Sequence, residues 1–169
     1  NYGYKDKYLA TFTLRADGSS KFASNNRWGF FPAGALAWRL SNEDFMQDIP
    51  WISNLKLRLS YGTSGNDRID ADLYQKLYGV SSKTPAGWGE ISRYYYQFYN
   101  TKYVYNPNVK WETTITRNLG FDFGFFKERL SGTVDIYWNT VKDLLVPSDI
   151  PGYTGYTKLM TNVGQTSNR

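Results

Sequence analysis

Leu55-Lys56-Leu57-Arg58-Leu59-Ser60-Tyr61 is the stretch on which the fold turns. Its odd positions are Leu, Leu, Leu and Tyr; its even positions are Lys, Arg and Ser. In a strand successive side chains point to opposite faces, so this period of two makes one face apolar and gives the other two cations. The same pattern recurs on both sides. In residues 8–16, Tyr8, Ala10, Phe12, Leu14 and Ala16 oppose Thr11, Thr13 and Arg15. In residues 28–40, Phe30, Leu36, Trp38 and Leu40 oppose Ala33, Ala35, Ala37 and Arg39, with Pro32 and Gly34 predicting a bulge. In residues 113–125, Ile115, Leu119, Phe121, Phe123 and Phe125 oppose Thr114, Thr116, Asn118, Asp122 and Gly124. After a tight reversal at Lys127-Glu128, Leu130, Val134, Ile136 and Trp138 oppose Ser131, Thr133, Asp135, Tyr137 and Asn139. A further strand is expected from Leu159.

Composition agrees with strands that are apolar on one side only. Aromatics make up 18% of the 169 residues, with 15 Tyr, 10 Phe and 6 Trp, yet the mean hydropathy is −0.57. No run approaches the roughly 18 apolar residues of a transmembrane helix, which strands crossing a membrane do not need. The absence of Cys and His removes disulfides, thiolate chemistry, the commonest zinc ligand and the usual neutral-pH base. The net charge of +5 is dispersed rather than gathered in a phosphate-binding run, so no nucleic-acid partner is expected. No signal peptide opens the sequence at Asn1, and Asn168-Arg169 falls inside a patterned segment. The whole of residues 1–169 is therefore expected to be one internal piece of a larger all-β structure.

The connections alternate in length. Residues 4–7 and 127–128 are short, residues 17–27, 62–110 and 141–158 are long, and residues 41–54 are intermediate, with a helical turn expected around Asn42-Glu43-Asp44-Phe45. Membrane barrels have short periplasmic turns and long extracellular loops. Long loops outside place Trp28, Tyr61, Trp111 and Trp138 at outer strand ends, and Trp38, Trp51, Phe125 and Phe126 at inner ends. These form two aromatic girdles, as at the two interfaces of a membrane. The reading is an antiparallel transmembrane β-barrel segment, with Leu57, Leu59, Phe121, Phe123, Val134 and Ile136 toward lipid. Arg15, Arg39, Lys56, Arg58, Asp122 and Asp135 then face the lumen or a plug, because a midplane Arg or Lys on the lipid face costs about 2–4 kcal/mol. The competing reading is a soluble β-sandwich, for instance a carbohydrate-binding module, which also alternates.

Blocks along the chain carry a family resemblance. Arg15-Ala16-Asp17-Gly18-Ser19-Ser20-Lys21-Phe22 is followed by Asn26-Arg27-Trp28-Gly29 and Phe31-Pro32. Ala37-Trp38-Arg39-Leu40-Ser41 and the run from Leu57 through Gly62-Thr63-Ser64-Gly65-Asn66 continue the pattern. Asn106-Pro107, Lys110-Trp111-Glu112, Asn118-Leu119-Gly120-Phe121-Asp122-Phe123 and Arg129-Leu130-Ser131-Gly132 follow in order. Asp135-Ile136-Tyr137, Thr140, Asp143-Leu144-Leu145 and Asn162-Val163-Gly164 complete it. Together these resemble the SusC/RagA family of TonB-dependent outer-membrane transporters of the Bacteroidetes. The resemblance implies a barrel of about 22 strands with a plugged lumen, with the plug and the TonB-contacting segment outside these residues. It also implies a SusD-like surface lipoprotein as partner, energy from a TonB complex, and oligosaccharide or peptide substrates.

No catalytic constellation or cofactor site is expected. Asp67, Asp70 and Asp72 cluster, but without the spacing or glycine of a calcium loop, and no metal is assigned to them. Glu90 and Glu112 read as loop and strand-end residues rather than an acid–base pair. Gly152-Tyr153-Thr154-Gly155 lacks the Lys-Ser/Thr ending of a phosphate loop. The strongest candidate for ligand or partner contact lies in the longest connection, at Trp88, Tyr94, Tyr95, Tyr96, Tyr99 and Tyr103. Strand periodicity does not account for so many aromatics there, and Tyr and Trp offer rigid contact surfaces with a polar tip.

Overall fold

The computed structural model describes residues 1–76, 78–81, 95–98, 102–154 and 156–169. Its strands are β1 (Tyr2–Tyr4), β2 (Tyr8–Gly18), β3 (Trp28–Arg39), β4 (Ile52–Asn66), β5 (Tyr78–Ser81), β6 (Tyr95–Phe98) and β7 (Tyr103–Val104), then β8 (Glu112–Phe125), β9 (Leu130–Lys142), β10 (Leu145–Asp149), β11 (Lys158–Asn162) and β12 (Gln165–Asn168). Seven of them form one sheet in the order β1-β2-β3-β4-β8-β9-β12, antiparallel throughout. Its five long members have 11, 12, 15, 14 and 13 residues. Each meets the roughly 9–11 residues a tilted strand needs to cross a bilayer.

The ladder fixes the faces. Tyr8, Trp38, Leu57, Phe121 and Val134 lie in one cross-strand row, and Ala10, Leu36, Leu59, Leu119 and Ile136 in the next row of the same face. The opposite face carries the row Arg39, Lys56, Asp122 and Thr133, and the row Ala37, Arg58, Gly120 and Asp135. Among the described residues no second sheet covers the apolar face. Phe12 is 72% exposed, Leu36 59%, Leu59 54% and Ile136 50%. A sandwich buries such a face against its partner sheet, so the soluble-module reading fails on this point.

Several boundaries move from where the sequence places them. β2 continues through Asp17-Gly18, paired with Gly29 and Trp28. β4 continues through Gly62-Thr63-Ser64-Gly65, expected as loop, because β8 offers partners from Thr116 back to Glu112. Backbone pairing supplied by a neighbour overrides the weak strand preference of Gly and Ser. β9 likewise runs on to Lys142. The strand at Leu159 exists but belongs elsewhere: β11 pairs with β10 and, in parallel, with β7 in a separate three-stranded sheet. The large sheet resumes only at β12, beside β9. Pro32 makes no bulge and stands opposite Leu14 in register. The β3–β4 ladder stops at Ala33–Gly62, so the proline sits where only one neighbour is paired, as proline in sheets requires. The irregularity lies instead between Ile52 and Asn54. There the displaced Ser53 accepts hydrogen bonds through Oγ from the amides of Lys127 (2.7 Å) and Glu128 (3.3 Å). That stabilises a turn in which Phe126, Lys127 and Glu128 all have positive φ (54°, 59° and 63°), a conformation uncommon without glycine. The expected helical turn is present as two 3-10 turns, Leu40–Asn42 and Asp44–Met46.

Candidate functional site

Three arrangements of polar or aromatic side chains stand out from the sheet, one on its charged face and one at each end. On the charged face, the Arg58 guanidinium reaches β8 and β9 together. Its Nε and Nη2 donate to Asp122 at 2.9 Å each, and Nη2 also donates to Asp135 at 3.2 Å. The fork geometry suits arginine and carboxylate. Gly120, directly between Arg58 and Asp135 in the ladder, makes the second contact possible: a Cβ there would lie 2.6 Å from Asp135 Oδ1 and 2.7 Å from Arg58 Cζ. Thr133 Oγ1 donates to Asp122 at 3.0 Å and Asn118 Nδ2 to Asp135 at 3.1 Å. The network is half open to solvent, with side chains 32%, 21% and 40% exposed for Arg58, Asp122 and Asp135. Arg39 and Lys56 stand opposite one another on this face and border a trough of about 680 Å³ with Asn42, Asp122, Glu128 and Thr133. Arg15 is on the same face, 72% exposed and paired with Asp17 at 2.8 Å. All six residues expected on one polar face are on it.

At the end of the sheet bearing the long connections, three sequence-distant segments pack into a small core. Phe22, Ile69, Leu73, Tyr103, Val109 and Met160 are buried together, with Trp111 and Leu145 against them. Trp111 is turned into this core, 5.2 Å from the ring of Phe22 and 5.6 Å from that of Phe31. Side-chain amides tie the segments: Asn106 donates to the Met160 carbonyl at 2.8 Å, and Asn162 to the carbonyls of Lys110 and Asp143 at 2.8 and 2.9 Å. Of the clustered aspartates, Asp67 accepts from Ser19 Oγ at 2.9 Å and pairs with Lys21 at 3.9 Å.

The aromatic candidates divide accordingly. Tyr103 is 9% exposed within the core, so its ring is occupied in packing the loops. Tyr95 and Tyr96 lie in β6, opposite Ser81 and Val80 of β5. Trp88, Tyr94 and Tyr99 lie outside the described residues. Tyr153, in a 3-10 turn at Gly152–Thr154, is 91% exposed; it is not among the residues expected to make contacts, because strand periodicity gives no signal in a glycine-rich loop.

The opposite end holds a cluster that sequence reasoning also missed. Glu43 accepts from Tyr8 Oη (2.8 Å), Trp38 Nε1 (2.9 Å) and Lys7 Nζ (3.1 Å), while Lys7 also pairs with Asp44 at 3.0 Å. Tyr8 and Trp38 stack with ring centres 6.2 Å apart. The indole N–H, with the phenol and ammonium, holds the Glu43 carboxyl below the usual carboxylate range. The Asp44 and Glu43 carboxylates raise Lys7 above the usual lysine range.

A family model described as "TonB dependent receptor-like, beta-barrel" matches residues 1–169. The chain belongs to the TonB-dependent receptor β-barrel family. Within it, the chain is 42% identical over 171 residues to the TonB-dependent receptor SusC of Bacteroides thetaiotaomicron, covering 99% of this chain and 17% of that protein. A TonB-dependent receptor of Formosa agariphila is 39% identical over 99% of this chain and 15% of its own length. Among solved structures, the RagAB peptide importer in its "closed-closed" state superposes with a TM-score of 0.82 at 32% identity, over 99% of this chain and 17% of that one. Its "open-open" state gives the same TM-score and identity. The SusC/RagA resemblance is thereby established, and the seven-stranded sheet is a segment of a TonB-dependent receptor barrel. The chain spans about one sixth of the length of these relatives.

Proposed function

We propose that these residues form part of the wall of an outer-membrane nutrient importer, taking up oligosaccharides or peptides together with a SusD-like surface lipoprotein. The apolar face of the sheet meets lipid. The face bearing Arg15, Arg39, Lys56, Arg58, Asp122 and Asp135 lines the lumen and meets water or a plug. The observation that carries this is the sorting of charge across one continuous sheet: the Arg58–Asp122–Asp135 network lies on one face, and Phe12, Leu36, Leu59 and Ile136 stand uncovered on the other. Water on both sides would leave that apolar face a liability. Hydrocarbon on one side and an aqueous lumen on the other suit both faces. The plug, the TonB-contacting segment and the remaining strands complete the barrel in the whole receptor.

The packed loop end is the lipoprotein-facing end in this reading, and Trp88, Tyr94, Tyr95, Tyr96 and Tyr99, with Tyr153, are the surface offered to partner or substrate. That SusC is a TonB-dependent receptor and RagAB a peptide importer supports the class without choosing between glycan and peptide. The test uses the full-length receptor in its own cell. Replacing Tyr94, Tyr95 and Tyr96 together with Ser should leave barrel levels normal and weaken co-purification of the lipoprotein. Weaker ligand binding with the complex intact transfers the site to the substrate. Unchanged complex and unchanged uptake defeat the site assignment.

A further inference from the structure

Arg117 is the one cation among residues 113–125 of β8, and it sits on the wrong face for a lumen residue. The ladder places it directly between Tyr61 of β4 and Trp138 of β9, in the same apolar face as Leu119 and Phe121. Arg117 is exposed, and among the described residues its side chain makes one long hydrogen bond, from Nη1 to Thr140 Oγ1 at 3.4 Å. Among the described residues no carboxylate forms an ion pair with it, whereas Arg58 on the other face has two. Tyr61 and Trp138 beside it are 46% and 37% exposed. Toward the loop end, the next row of this face is Thr63, Ile115 and Thr140. An arginine flanked by Tyr and Trp, with hydroxyls above it, marks the depth at which hydrocarbon gives way to headgroups. The cost of a cation there falls to about 0–1 kcal/mol, and an anion at that depth makes its presence favourable.

We infer that Arg117, with Thr140 and the polar tips of Tyr61 and Trp138, binds the phosphorylated headgroup of an outer-leaflet lipid. The guanidinium fork matches two phosphate oxygens, and the flanking rings seat the glycolipid body at the interface. The occupant is a lipid rather than a second protein because hydrocarbon-facing side chains continue beneath the row at Leu59, Leu119 and Ile136, and the strand extends only a few residues above it. This inference rests on the barrel reading proposed above.

The experiment uses the full-length receptor purified in detergent, with monophosphoryl lipid A and the same lipid after enzymatic dephosphorylation as probes, followed by native mass spectrometry. The wild-type receptor is expected to retain the phosphorylated lipid roughly fivefold over the dephosphorylated one, the effect of one cation at a membrane surface. Arg117→Gln should abolish that preference and Arg117→Lys should keep most of it. Equal retention of both lipids by the wild type, or an unchanged preference in Arg117→Gln, overturns the inference. So does a change in receptor oligomeric state in Arg117→Gln with lipid preference intact, which would make the row a subunit contact. Extraction of the wild-type receptor from cells without detergent would instead overturn the barrel reading itself.

Discussion

Gly120 is where a missing side chain organises charge. Arg58 can touch both Asp122 and Asp135 only because nothing projects from the position between them. The obstructing atoms in a Gly120→Ala variant are the ends of flexible side chains, so they would swing aside and the barrel would still assemble. Partly exposed ion pairs contribute about 0.2–1 kcal/mol, and a double-mutant cycle reads the loss. Asp135→Asn should cost stability in the wild-type receptor and nothing measurable in Gly120→Ala; an equal cost in both would show that the glycine is irrelevant to the pair. Glu43 offers a second test. Its carboxyl is held below the usual range, so its contribution is fully present above the ordinary glutamate pKa and disappears as the pH falls through the lowered value. Lys7 is held above its usual range, so its contribution is present below the ordinary lysine pKa and disappears as the pH rises through the raised one. Across neutral pH both contacts hold. Amide exchange in residues 40–47, corrected for its intrinsic pH dependence, should therefore quicken in acid for the wild type and show no such step in Glu43→Gln.

At the scale of the element, each long strand has two environments set by alternation, and a substitution should be judged by its face. Leu59 stands in the row with Leu36, Leu119 and Ile136. Leu59→Arg puts a cation into hydrocarbon and should destabilise the receptor by about 2–4 kcal/mol. Ser60→Arg, one residue on, places it over the charged face and should be tolerated. Folding measured as heat-modifiable gel migration of the receptor separates them; equal tolerance would mean that the apolar face does not meet lipid. The sequence made this alternation legible in β2, β3, β4, β8 and β9, since period two needs no partner to be seen. It did not show where strands stop. Gly62-Thr63-Ser64-Gly65 reads as loop, and β8 makes it strand; Leu159 reads as the next wall strand, and β10 makes it part of a loop sheet.

For the whole molecule, the long connections gather at one end and the tight turns at the other, which predicts sidedness. The chain has no cysteine, so a single cysteine introduced here is the one thiol within these residues, and the parent for the test is the full-length receptor with every cysteine elsewhere replaced by serine. With an impermeant thiol reagent on intact cells, Ser24→Cys in the connection between β2 and β3 should label and Lys127→Cys in the turn before β9 should not. The reverse result would invert the barrel in the membrane.

The sequence by itself determined the all-β class, the two faces of each strand and the family, because alternation and ordered short motifs are local properties of the chain. The tertiary structure alone decided which loop residues are available. In the sequence Tyr103 looks like a contact residue and Trp111 like a member of the outer aromatic girdle, yet both pack against segments forty or more residues away, around Phe22 and Met160. Arg58 reads as one lumen charge among several, but three strands and a glycine gap make it the centre of a network. Burial and ion pairing depend on which distant strands become neighbours, and hydrogen-bonded register, rather than local pattern, sets that.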